Sequence, residues 1–112
     1  MNQKLDLLQG TLDLLILRTL LGGAAHGHAI ANYIQRTSEE LLQVETGSLY
    51  PALHRLEAKG WIVASWELSD KGKRARYYKL TREGRKQLSS ERSKWDAFAR
   101  AIGLILTANE RP

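Results

Sequence analysis

A chain of 112 residues with no cysteine and a net charge of +5 is sized for one domain with a modest core. The missing cysteines exclude a disulfide frame, a thiol nucleophile and a cysteine-based zinc site, and they fit an intracellular, cytoplasmic protein. Residues 1–70 hold 5 Lys+Arg against 8 Asp+Glu, while residues 71–112 hold 12 against 4; such a basic end suits a polyanion such as nucleic acid, or simply a solvated face.

The stretch from Leu5 to Leu21 is leucine-rich but is broken by Asp6, Gln9, Asp13 and Arg18. It therefore reads as a core helix and not as a membrane span or a secretory segment. This first helix is expected from Gln9 or Gly10 to Leu21, stopped by Gly22 and Gly23. It is apolar nearly all round, which means burial on more than one side and, in so small a domain, a partner chain on one of them. A second helix is expected from His26 to Ser38, with Ile30, Tyr33 and Ile34 inward. A connector follows, with Leu41, Leu42 and Val44 tucked in.

The third helix lies in "ETGSLYPALHRLEAKGWI", residues Glu45 to Ile62. With Leu49, Leu53 and Leu56 inward, a rotation of about 100° per residue puts Gly47, Pro51, His54, Arg55 and Ala58 on the far side, flanked by Ser48 and Tyr50. Pro51 fits the first turn if the helix starts at Gly47 or Ser48, where its missing N–H has no partner in any case. If the helix starts at Thr46 or earlier, the ring crowds Gly47, which has no side chain. Ser48, Tyr50, His54 and Arg55 have the chemistry to reach phosphates or base edges. Each also has a plainer reading: Ser48 as a cap, Tyr50 as packing, His54 as ordinary surface, Arg55 paired with Glu57 or Glu45.

"GWIVASWEL" and "RYYKL" read as two strands joined by the polar turn "SDKGKRA", a hairpin. Lys71, Lys73, Arg74 and Arg76 crowd its tip and exit, and four cations around Gly72 argue for a shared anionic target. Thr81 caps a last helix that continues to about Ala108, roughly 40 Å long. Leu88, Trp95 and Ile102 recur every seven residues, with Phe98 and Ile105 between them, as in a short coiled-coil seam. The over-apolar first and last helices together suggest a homodimer.

Three helices, a hairpin and a long last helix make a mainly α fold with a small β-hairpin. This is the order of a winged helix-turn-helix, residues 1–80, followed by a C-terminal dimerisation helix, residues 81–112, in one compact unit. In that scheme the third helix reads the major groove of double-stranded DNA. A winged helix used for protein docking is the alternative, but it needs an apolar patch in place of the basic wing. No nucleophile–base pair and no Gly-rich phosphate loop is present, so no enzyme and no cofactor is expected. His26-Gly27-His28 lacks a third ligand at a recognised spacing, so no metal is expected either.

"LDLLQGTLDLLILRTL", "HGHAIANYI", "GSLYPALHRLEAKGWI" and "RARYYKLTREGRKQL", in that order, resemble the PadR-like transcriptional regulators in their short form, with one C-terminal helix. The resemblance spans Leu5 to Leu106, and "GSLYPALHRLE" followed by "GWI" is its most specific part. It implies a winged helix-turn-helix that binds operator DNA as a homodimer, usually as a repressor, with the dimer built from the last helix helped by the first. Carried onto this chain, the recognition helix is Gly47–Lys59, with DNA contacts at Ser48, Tyr50, His54 and Arg55. The wing tip is Lys71–Arg76. Some short members bind aromatic or drug-like molecules between the subunits; Trp95 matches a tryptophan that lines that space, or is plain dimer core. His28 stands where an aromatic residue is common.

Overall fold

The computed structural model describes residues 10–109. The chain runs α1 (Thr11–Leu21), β1 (Ala25–His26), α2 (Gly27–Thr37), α3 (Thr46–Ala58), β2 (Ile62–Leu68), β3 (Arg74–Leu80) and α4 (Arg82–Leu106). This is a winged helix: three helices, a hairpin wing and a long C-terminal helix. Gln9 and the last three residues of the expected 81–112 segment lie outside the described residues. The one element absent from the sequence reading is β1. It pairs with β3 through Ala25–Tyr78 and His26–Tyr77, so the hairpin becomes a three-stranded antiparallel sheet of order β1-β3-β2.

The core forms where the amphipathic faces meet. Leu12, Ile16, Leu17 and Leu20 of α1 pack with Ile30 and Ile34 of α2, Leu49, Leu53 and Leu56 of α3, and Ile62, Tyr78 and Leu80 of the sheet. α1 touches α2, α3, α4 and β3, which is why its sequence is apolar nearly all round. Tyr33 of α2, expected inward with Ile30 and Ile34, is exposed; in the connector Leu42 and Val44 pack against the core, but Leu41 is exposed rather than tucked in. The backbone there turns through Glu39 and Glu40, both at positive φ, and carries Leu41 outward.

Two devices fix the ends of α3. At its end, Gly60 adopts φ 77°, and the Gly60 and Trp61 N–H groups donate to the Glu57 and Leu56 carbonyls at 3.0 Å each; only glycine takes this left-handed turn without cost. At its start, Glu45 is the cap residue and its carbonyl accepts from Ser48 and Leu49. Pro51 therefore lies in the second turn, over Gly47, and the bond it cannot donate leaves the Gly47 carbonyl on the exposed face.

α4 begins firmly. The Thr81 hydroxyl accepts from Gly84 N–H at 3.0 Å and donates to the Gly60 carbonyl at 2.7 Å, binding the helix start to the turn after α3. Leu88, expected in a seam between copies, is 6% exposed and belongs to the chain's own core. The first two turns of α4 still lie against the domain. Beyond them the helix is largely exposed, with Glu91 to Phe98 facing the start of α1 across a groove, and the molecule extends 63 × 37 × 22 Å.

Candidate nucleic-acid interface

The far side of α3 is open to solvent. Ser48, Tyr50, His54 and Arg55 are all exposed. Ser48 sits inside the helix and not at its cap, so its hydroxyl is not used as a side-chain cap. Tyr50 is set by a close approach: a Cβ placed on Gly27 would lie 2.7 Å from the Tyr50 hydroxyl oxygen. The ring thus rests on the start of α2, and the lack of a side chain at Gly27 makes room for it. Arg55 is paired, with neither Glu57 nor Glu45 but with Asp13 of α1, its Nη2 donating to Oδ1 at 2.9 Å.

The wing divides its four cations. Lys71 and Lys73 lie exposed in the turn, which is closed by Ser69: its N–H donates to the Lys73 carbonyl at 2.7 Å and its carbonyl accepts from Gly72 at 2.9 Å. Arg74 and Arg76 belong to β3. The Arg74 guanidinium lies 5.2 Å from the centre of the Trp66 ring. Arg76 turns back to α3, where its Nη2 donates to Glu57 Oε2 at 2.6 Å. Under it, burial pushes the Tyr78 phenol above its ordinary value, while the positive charge of Arg76 opposes the rise.

Between α3, the start of α2 and the wing lies an open cleft of about 530 Å³. Tyr50 and His54 line one wall, Lys73, Arg74 and Arg76 the other, and His26 and His28 the end. The His26 and His28 rings stack at 6.4 Å. His26 Nδ1 caps α2 by accepting from Ala29 N–H at 3.1 Å. The structure thus brings both predicted groups, helix and wing, onto one concave surface. Ser48, Arg55 and Lys71 fall outside this cleft. Among the described residues no three His, Asp or Glu side chains converge to hold a metal, and no helix is long and apolar enough to cross a membrane.

At the other end, Trp95 and Phe98 face each other at 6.5 Å. With Glu91 and Lys94 they form one side of an open groove of about 350 Å³, whose other side is Gly10, Thr11 and Leu14. Phe98, Ile102 and Ile105 are exposed.

The family model for the transcriptional regulator PadR-like family matches residues 16–90, from mid-α1 through α3 and the whole wing. The chain belongs to the PadR-like family. This PadR-like protein is 38% identical over 68 residues to the transcriptional regulator Rv3488 of Mycobacterium tuberculosis, covering 61% of this chain and 63% of that one. It is 30% identical to the solved transcriptional regulator Cth-833 of Clostridium thermocellum, with a TM-score of 0.78 over 85% of this chain and 92% of the other. A PadR family regulator of Clostridium difficile superposes with a TM-score of 0.75 at 30% identity, over 87% and 99% of the two chains. As a PadR-like protein it is a DNA-binding transcriptional regulator and not an enzyme. The matched span stops short of Trp95, Phe98, Ile102 and Ile105.

Sequence reasoning missed Gly27, Asp13, Glu57 and Trp66 as parts of this surface. Only for Trp66 was there a signal, a strand tryptophan next to a basic turn.

Proposed function

We propose that the protein is a homodimeric repressor that occupies promoter DNA and so works in the cytoplasm. One observation carries this reading: α3 and the wing share a concave, basic surface, while α4 carries an exposed apolar run outside it. Residues 1–80 would read DNA and residues 81–112 would join two copies. Tyr50, His54 and Ser48 meet the groove, Arg55 reaches a guanine or phosphate by leaving Asp13, and Lys71, Lys73 and Arg74 hold the backbone. Two reading heads related by a two-fold axis require a pseudo-palindromic operator with half-sites about one helical turn apart.

The dimer reading is supported by Trp95, Phe98, Ile102 and Ile105, all exposed on one helix at seam spacing. The groove between α1 and Trp95 suits a small aromatic effector that changes the tilt of the two heads.

Titration against operator DNA at several salt concentrations tests the DNA surface. Arg55→Ala should cost about 1–3 kcal/mol and relax specificity at one base pair. Lys73→Ala should weaken binding to every sequence and lower the salt slope by about one. Wild-type titrations from both variants would remove this assignment.

A further inference from the structure

Towards its tip the wing carries two large apolar side chains that the described residues leave open: Trp66 is 60% exposed and Leu68 is 70% exposed. The register shows where they lie. Ile62 stands opposite Leu80, Ala64 opposite Tyr78, Trp66 opposite Arg76 and Leu68 opposite Arg74. Opposed residues of an antiparallel pair share one face of the sheet. The face that buries Ile62, Leu80 and Tyr78 in the core therefore continues past the edge of the domain as Trp66 and Leu68. It emerges beside α3, because Trp66 lines the same cleft as Tyr50 and His54. Arg74, stacked on the indole, holds the ring and puts a cation against it.

The charge around this patch selects its occupant. Arg74, Arg76 and Lys73 border the indole. A DNA backbone presents phosphates to match them, and between the phosphates the apolar faces of deoxyribose. We propose that Trp66 is a DNA contact in its own right, its indole packed on deoxyribose at the edge of the groove while Arg74 and Lys73 take the flanking phosphates. This role rests on the DNA-facing reading of α3 and the wing, and adds shape to what was charge alone. Apolar side chains of other DNA-binding proteins press on the minor groove in a comparable way.

Deoxyribose is common to all sequences, so mixed-sequence duplex DNA is the probe. Trp66→Ala should bind it about tenfold more weakly, and Trp66→Phe should fall between the two. Both should melt close to the wild type, because the indole is largely outside the core. Neither variant changes a charge, so the slope of log affinity against log salt should stay that of the wild type, whereas Lys73→Ala lowers it. Tryptophan emission of the wild type should change on saturation with duplex, and Trp66→Phe, which keeps Trp61 and Trp95, should lose that change. Wild-type affinity in Trp66→Ala, the behaviour of a protein-docking patch, overturns the role, as does an emission change that survives in Trp66→Phe. If Lys71→Ala and Lys73→Ala also bind like the wild type, the DNA-facing reading fails with it. If they weaken while Trp66→Ala does not, only the indole contact fails.

Discussion

Gly27→Ala separates a residue that shapes the proposed DNA surface from one that merely stabilises the fold. A methyl group at Gly27 would stand 2.7 Å from the Tyr50 hydroxyl oxygen and 3.0 and 3.1 Å from two ring carbons. Ordinary contact is about 3.5 Å or more, so the ring tip must retreat by roughly 0.8 Å. Gly27 is not among the glycines at positive φ, so its backbone accepts alanine. Alanine also favours a helix over glycine by about 0.5–1 kcal/mol, which offsets the cost of moving an exposed ring. The melting temperature should therefore hardly change. Binding should change if Tyr50 meets DNA as proposed, because a hydroxyl displaced by most of an ångström would lose such a hydrogen bond, about 0.5–1.5 kcal/mol or roughly two- to twelvefold in affinity. The assay is a double-mutant cycle with Tyr50→Ala, read by fluorescence anisotropy at a salt concentration where all four proteins bind. If Gly27 acts through Tyr50, Gly27→Ala costs nothing once the ring is gone. Losses that simply add would refute the reasoning and leave Gly27 as part of the α2 start alone.

Four other outcomes follow from single contacts. Asp13→Asn removes the acid that holds Arg55, and should raise DNA affinity a few-fold at low salt while costing no more than about 1 kcal/mol of stability, since the Arg55 side chain is 53% exposed; unchanged affinity would mean that Arg55 does not reach DNA. Trp95→Asp places a charge in the exposed run of α4 and should give monomers by sedimentation; a dimer that persists puts the interface elsewhere. Thr81→Ala deletes both the α4 cap and the bond to Gly60, and should lower stability by about 1–2 kcal/mol in denaturant titrations. The raised Tyr78 phenol binds its proton more tightly folded than unfolded, so stability should hold below pH 10 and fall as pH rises past it; Tyr78→Phe should remove that fall even if it shifts the baseline.

The helices and the hairpin were legible because their apolar residues recur at helical or alternating spacing, and Leu49, Leu53 and Leu56 alone oriented α3 correctly. β1 was not, since two residues are too short to show a period; it exists because β3 offers Tyr77 and Tyr78 a second neighbour. Leu88 carries the same heptad spacing as Trp95 and Ile102, and spacing cannot tell a helix turn that lies on its own domain from one that projects. The partners of the arginines were equally hidden. Arg55 and Asp13 are 42 residues apart in sequence, and nearer acids competed for the assignment. Pro51 left two helix starts open, and the cap at Glu45 decided for the earlier one.

These hidden partners also trace a path by which the proposed effector groove could act on the proposed DNA surface. α1 touches α2, α3 and α4 alike. Asp13 reaches to Arg55 on α3, while its neighbours Thr11 and Leu14 line the groove beside Trp95. A molecule wedged into that groove, or a second copy packed over it, would press on the same turn of helix that holds Arg55. Ile16 and Leu17 are buried in the core on the other side of α1, so a shift of α1 against α4 would carry Asp13 with it and reach the Arg55–Asp13 pair. That pair is weak enough for a phosphate to break and strong enough to bias where Arg55 waits. The link predicts that Asp13→Asn, besides changing affinity, should reduce the effect on DNA binding of any molecule that binds beside Trp95.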